Sequence, residues 1–140
     1  MDKMKTNYHH TTDVKELAID GTTVSSTAVE IDQFVLVHTI PDISAASSAW
    51  VVCPYTATIE KIYAVSDATT TGTAALSFEI GGNAVTDGGI SITAGVAGVV
   101  KTATPTALNT VTAGTTIEMI TNGGSTNTAV GTITFVMQRT

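Results

Sequence analysis

A catalytic or metal-binding centre in this chain would have to be built from three histidines, one cysteine and twelve carboxylates, and their spacing does not gather them. His9 and His10 are adjacent, so an extended backbone points their rings in opposite directions. No Cys or further His lies close enough in sequence to complete a zinc set, and the pair reads as solvated or partner-contacting. His38 closes an apolar run and reads as a strand-end residue with a hydrogen-bonded ring. Cys53, between Val52 and Pro54, has no second cysteine to pair with and no His or Arg beside it. A buried, reduced thiol is the expected state.

The remaining candidates are equally isolated. Ser66 and Asp67 suggest hydrolysis, yet no G-x-S-x-G elbow is present. Asp67, Glu79 and Asp87 are not set in a D-x-[DN]-x-[DN]-G calcium loop. Paired glycines at 81–82, 88–89 and 123–124 stand between strand-like runs, and none opens a helix whose N-terminus could hold a phosphate. Trp50 and Tyr55 flank Cys53 and Pro54 and could form a sugar platform, but aromatics are only 5% of the chain, so packing in a core or an interface is expected of Trp50. No catalytic, cofactor-binding or metal-ligating residue is therefore assigned, no cofactor is expected, and an enzyme is the least supported class.

Charge narrows the partners. Six basic residues against twelve acidic ones give a net charge of −6, with 13% charged and 43% hydrophobic residues. Phosphate backbones need a clustered basic footprint, whereas Lys61, Lys101 and Arg139 are scattered, so nucleic acid is not an expected partner. The lysines near Met1 have no apolar run behind them, which predicts no secretory signal. No apolar run approaches the roughly 20 residues of a membrane helix, so a protein that stays soluble is expected. A surface so poor in charge suits contacts with other proteins.

The elements that would have to position any site are strands. Residues 1–21 differ from the rest, holding Lys3, Lys5 and Lys15 against Asp2, Asp13, Glu16 and Asp20, a net −1 that leaves −5 for residues 22–140. They predict an N-terminal arm, with Asp13 and Glu16 capping at most one helical turn through Val14 and Leu17. From Thr22 onward, short bursts of Thr, Ala, Val, Ile and Gly predict a single all-β domain.

Residues 29–38 end apolar on both faces at Phe34, Val35, Leu36 and Val37, which predicts a strand covered on both sides. A loop over 41–48 and a short strand over 49–53, stopped by Pro54, follow. The stretch 53–80 is the centre of the pattern. In its first half Ile59 and Ile62 are three apart around Glu60 and Lys61, which requires a bulge or a snorkelling Lys61. In its second half Leu76, Phe78 and Ile80 alternate cleanly with Ser77 and Glu79.

Further strands are predicted around Ile90 and Ile92, over 96–101, over 115–121 with Ile117 and Met119 inward, and over 128–138 with Ile133, Phe135 and Met137 on one face. About eight strands with gaps too short for parallel crossovers predict an antiparallel two-sheet β-sandwich. A jelly-roll-like arrangement is the first expectation and an immunoglobulin-like one the second, the Cys…Trp…Cys spacing of antibody domains being absent. Outward Thr132, Thr134, Val136 and Ile120 leave weakly polar outer faces, which predicts self-association.

Across about residues 50–138, P-Y-T-A-T-I-E-K-I-Y-A-V opens a strand, F-E-I-G-G-N-A-V makes a hairpin, G-G-I-S-I follows, and A-T-P-T-A-L-N-T-V-T-A-G-T-T-I-E-M precedes G-T-I-T-F-V-M. This pattern of turns and composition resembles the small capsid decoration, or cement, proteins of tailed bacteriophages. The resemblance implies a structural virion protein, often jelly-roll-like, that sits as a homotrimer on the outer capsid surface at threefold or quasi-threefold positions. It would clamp neighbouring major capsid protein subunits against internal DNA pressure, with residues 1–21 lying across the shell. No catalytic motif comes with the resemblance. The alternative is a receptor- or carbohydrate-binding β-sandwich of a phage fibre or spike; a small hydrolase fails on motifs.

Overall fold

The computed structural model describes residues 32–140, together with two short strands, β1 (Leu17–Ile19) and β2 (Thr22–Val24). Those two pair antiparallel with Leu17 opposite Val24, in a unit, residues 1–31, that is separate from residues 32–140. The rest of the expected arm lies outside the described residues, as do His9, His10, the capping turn at Asp13 and Glu16, and residues 29–31 of the first long strand. Leu17 itself opens a strand.

In residues 32–140 the elements are β3 (Gln33–Ile40), β4 (Ser47–Val52), β5 (Ala57–Ser66), β6 (Thr73–Ile80), β7 (Asn83–Ala84), β8 (Ile90–Thr93), β9 (Lys101–Ala103), β10 (Thr110–Val111), β11 (Thr116–Thr121) and β12 (Gly131–Arg139). Every pairing is antiparallel. One sheet runs β3-β12-β5 and is completed by β9 and β10, which pair with different stretches of the outer edge of β5. The other runs β4-β11-β6 and is completed in the same way by β7 and β8 along β6. The short strands thus share lanes, so that each sheet is four lanes wide.

The sheets pack face to face as a β-sandwich. Ile59, Ile62, Ile133, Phe135 and Met137 from the first sheet meet Leu76, Phe78, Ile92, Ile117 and Met119 from the second in one core, all buried to 2% exposure or less. Phe78 and Phe135 cross the interface as an edge-to-face pair, with ring centroids 5.3 Å apart at 85°. The stretch 53–80 contributes β5 and β6, an inner strand of each sheet, and therefore lies at the heart of the core.

The irregularity at Glu60 and Lys61 is a bulge. Val136 pairs with Lys61 and the next residue, Met137, with Ile59, leaving Glu60 as the extra residue. Ile59 and Ile62 both turn inward, while Glu60 and Lys61 stay outside. Tyr63 and Val65 consequently share the outer face, and Lys61 Nζ lies 5.3 Å from the centre of the Tyr63 ring.

Three expectations are corrected. Residues 96–100 form no strand; a turn at Gly98, with φ of +79°, leaves Val96, Val99 and Val100 exposed, and pairing starts only at Lys101. Of the two settings expected of Trp50, the core is corrected and the interface untouched: it stands on the outer face of edge strand β4, 55% exposed. β3 is also an edge strand, covered on one side alone: Phe34 and Leu36 pack on the core, while Val35 and Val37 remain 59% and 55% exposed. In each case the residue types suited burial, but the position within the sheet left the side chains open.

Candidate functional site

Among the described residues the structure does not gather Cys53, His38 and the carboxylates into one cluster. Cys53 is fully buried; its Sγ donates to the Tyr55 carbonyl at 3.0 Å, and its backbone N–H donates to the Thr115 carbonyl at 2.9 Å. The thiol of the native protein is expected to react with an aromatic disulfide reagent at least about 1,000-fold more slowly than that of the denatured chain, because access requires opening of the core. A rapid full equivalent of reaction without denaturant would contradict this burial.

Ser66 and Asp67 do not form a nucleophile and base. Ser66 is 1% exposed and its Oγ has no hydrogen-bond partner, whereas Asp67 Oδ1 accepts from the Val130 backbone N–H at 2.7 Å. The aspartate pins the end of β5 to the start of β12. Asp87 accepts from the Thr106 hydroxyl. Asp42 closes the turn after β3 by accepting from the hydroxyl and the backbone N–H of Ser44, at 2.6 and 2.8 Å. Those two bonds, the hydroxyl's first, hold its carboxyl below the usual carboxylate range. His38 is half-buried on the inward side of β3, opposite Ile133, within the strand and not at its end. No group of three or more His, Cys, Asp or Glu side chains among the described residues is placed to hold a metal ion. The glycine pairs sit in turns between strands, and no helix follows any of them.

The outer faces of the two sheets differ. On β4-β11-β6, Trp50, Glu118 and Glu79 form one cross-strand row, which sets two carboxylates side by side next to an exposed indole. Like charges directly opposed on neighbouring strands oppose pairing, and strand pairing here is carried by the inward Ile117, Met119 and Phe78. On β3-β12-β5 the rows are Thr39-Thr132-Val65, Val37-Thr134-Tyr63 and Val35-Val136-Lys61, a face of branched apolar and Thr side chains.

A pocket of about 290 Å³ opens on this second face, lined by Tyr63, Ala64, Val65, Val100, Thr132 and Thr134. Its walls carry hydroxyls but no ionisable group apart from the Tyr63 phenol, so it suits an apolar insertion and not acid–base work. Sequence reasoning found Thr132, Thr134 and Val136 as a weakly polar face but not the pocket. Val100 reaches it only through the turn at Gly98, and Tyr63 and Val65 only through the bulge.

Fold and surface together define an antiparallel β-sandwich whose most distinctive feature is an open, nearly uncharged sheet face. Compared with models of protein families, with curated proteins and with solved structures, the chain finds no match. No helix among the described residues is long and apolar enough to cross a membrane.

Proposed function

We propose that this protein is a structural component of a phage virion that binds the outer capsid surface and stabilises contacts between major capsid subunits. The observation that carries the reading is the order of strands. Along the chain β3 and β4 take the edge lanes of the two sheets, and β5 and β6 the third lanes. β7 and β8, then β9 and β10, take the far lanes, and β11 and β12 return to the second lanes. That circuit is the lane order expected of a jelly roll, an architecture used for capsid and lectin domains, and so supports the reading. The resemblance of residues 50–138 to capsid decoration proteins points the same way. The broad face, on which Glu60 and Lys61 of β5 are the charged side chains, adds a surface suited to protein contacts.

In this reading residues 1–21 form an arm across the shell and the sandwich is the body it anchors. Deletion of residues 1–21 is expected to weaken attachment to expanded capsids at least about tenfold, the effect of losing one tethered contact. The melting temperature of the body should be unchanged. Cosedimentation with capsids measures the first and calorimetry the second. Unchanged capsid affinity after the deletion would count decisively against the arm.

The receptor- or carbohydrate-binding alternative keeps one feature in its favour, the exposed Trp50 beside Glu118. Against it, Tyr55, although 46% exposed, is engaged within the chain, stacked under the Arg139 guanidinium 3.6 Å from the ring centre, and that guanidinium also lies 5.9 Å from the centre of the Phe34 ring.

A further inference from the structure

We infer that the cross-strand row Trp50-Glu118-Glu79, on the outer face of β4-β11-β6, receives an arginine side chain of a partner protein. Directly opposed residues on neighbouring strands bring their Cβ atoms to about 5 Å, so the indole and the two carboxylates stand side by side in three adjacent lanes. A guanidinium seated over Glu118, in the middle lane, has the Trp50 ring on one flank and the Glu79 carboxylate on the other. The row ends at Ala84 in the fourth lane, where a methyl group leaves Glu79 open from that side.

Charge selects a cation. Glu79 and Glu118 are the charged side chains of this sheet, whose strands carry no Lys, Arg or His. Lys61, Lys101 and Arg139, the Lys and Arg residues of 32–140, all belong to strands of the other sheet. Directly opposed like charges disfavour strand pairing, and a cation from outside the sheet offsets them. The aromatic rings point the same way independently. Outside the core, Tyr63 has Lys61 5.3 Å from its centre, and Tyr55 and Phe34 have Arg139 at 3.6 and 5.9 Å. Trp50 offers the strongest ring for such a contact and is the more exposed, yet among the described residues no cation lies over it.

Chemistry and setting favour arginine, carried by a protein. A guanidinium is planar, stacks on an indole and meets carboxylates with a fork of donors, whereas the ammonium of lysine is a compact, strongly hydrated point charge. A free small molecule needs a concave site, and this row lies open on a strand face. Val52, 58% exposed and two residues from Trp50, and half-buried Ile120, two residues from Glu118, flank the row with apolar area that excludes water around a Trp–Arg contact. Such a grip deepens the proposed function and rests on that reading for the identity of the partner, the capsid.

The test titrates acetyl-arginine amide into the full chain at constant ionic strength and follows the NMR signal of the indole N–H of Trp50, the chain's one tryptophan. A saturable shift with a dissociation constant of roughly 10–100 mM is expected, the strength of one cation–π contact and two exposed ion pairs. Acetyl-citrulline amide, of the same shape but uncharged, should give none, and acetyl-lysine amide should bind at least about twofold more weakly. Glu79→Gln combined with Glu118→Gln should weaken arginine binding at least about fivefold, whereas Glu60→Gln on the other sheet should leave it unchanged. The double variant should melt no lower than the wild type, since it removes a like-charge opposition, so its lost binding is not lost fold. Equal shifts from citrulline, equal affinity for lysine, or binding that survives the double variant would overturn the inference. So would a Trp50 signal that moves with protein concentration and not with the probe, the mark of a second copy on this face. Cosedimentation then separates the two readings. A wild type that fails to join expanded capsids strikes the proposed function and leaves the arginine site standing, whereas capsid binding unchanged in Trp50→Ala and in the double variant overturns this inference alone.

Discussion

Phe135→Ala is expected to remove about 3–5 kcal/mol of folding stability and to lower the melting temperature by roughly 10–20 °C. Phe135 is fully buried in β12, the second lane of its sheet, and its ring meets Phe78 of the opposite sheet edge to face. Truncation opens a cavity between two β-sheets that are each held by their own hydrogen-bond ladders, so neither can collapse far to fill it. The loss of the ring pair adds about 0.5–1.5 kcal/mol to the transfer cost. Phe135→Leu, which keeps most of the volume, should lose less than half as much. Val136→Ala, one residue along and facing outward, should lose little in the monomer. Urea denaturation followed by fluorescence measures all three, and a Phe135→Ala cost below about 1 kcal/mol would show that this contact does not join the sheets.

Gly124→Ala is expected to cost about 2–3 kcal/mol, although it adds a single methyl group. A Cβ at Gly124 would fall inside the contact radius of the Thr73 carbonyl oxygen, and one at the facing Gly72 would crowd the carbonyl of Gly124 in turn. Gly72 and Ser125 are bridged across this approach, and Asn122 Oδ1 accepts from the backbone N–H groups of both Ala75 and Gly124, at 2.8 and 2.9 Å. On the far side of the turn Gly123, with φ of +70°, lies against the backbone of Ala45 and Ala46. The nearest obstacles are backbone on both sides, Thr73 at Gly124 and Ala45 and Ala46 at Gly123, and backbone cannot swing aside. Gly89→Ala is the control: its nearest neighbour is the Leu76 carbonyl oxygen at 3.7 Å, an ordinary contact. Its cost should stay within about 0.5 kcal/mol, as for a surface change away from special features. Equal costs for the two variants would refute the close approach.

The parts of the fold legible in sequence were those that follow from a two-residue period. In β6 and β12 the alternation of Leu76 with Phe78, and of Ile133, Phe135 and Met137, gave the inward faces correctly, because each strand reports its own two sides. The break between Ile59 and Ile62 marked an irregularity for the same reason, and the strand register decides for a bulge over a snorkelling Lys61. The failures at Val35 and Val37 and at 96–100, and the open choice between core and interface at Trp50, share one origin: an apolar side chain implies a cover, but its own segment does not say whether the cover belongs to this chain. The outer face was visible in part, as Thr132, Thr134 and Val136; its pocket was not, since it joins residues from β5, β12 and the turn before β9.

By itself, then, the sequence determined an all-β chain, the place of the irregularity at Glu60 and Lys61 and the inward faces of its main strands. These depend on neighbours a few residues apart, through φ preferences, side-chain alternation and short spacing. Only the tertiary structure decided which strand lies beside which, that the stretch 53–80 supplies an inner strand to each sheet, and that β3 and β4 are edges with Val35, Val37 and Trp50 left open. Lane order is set by pairings such as β3 with β12, from opposite ends of the described body, and no local pattern encodes the partner of an edge.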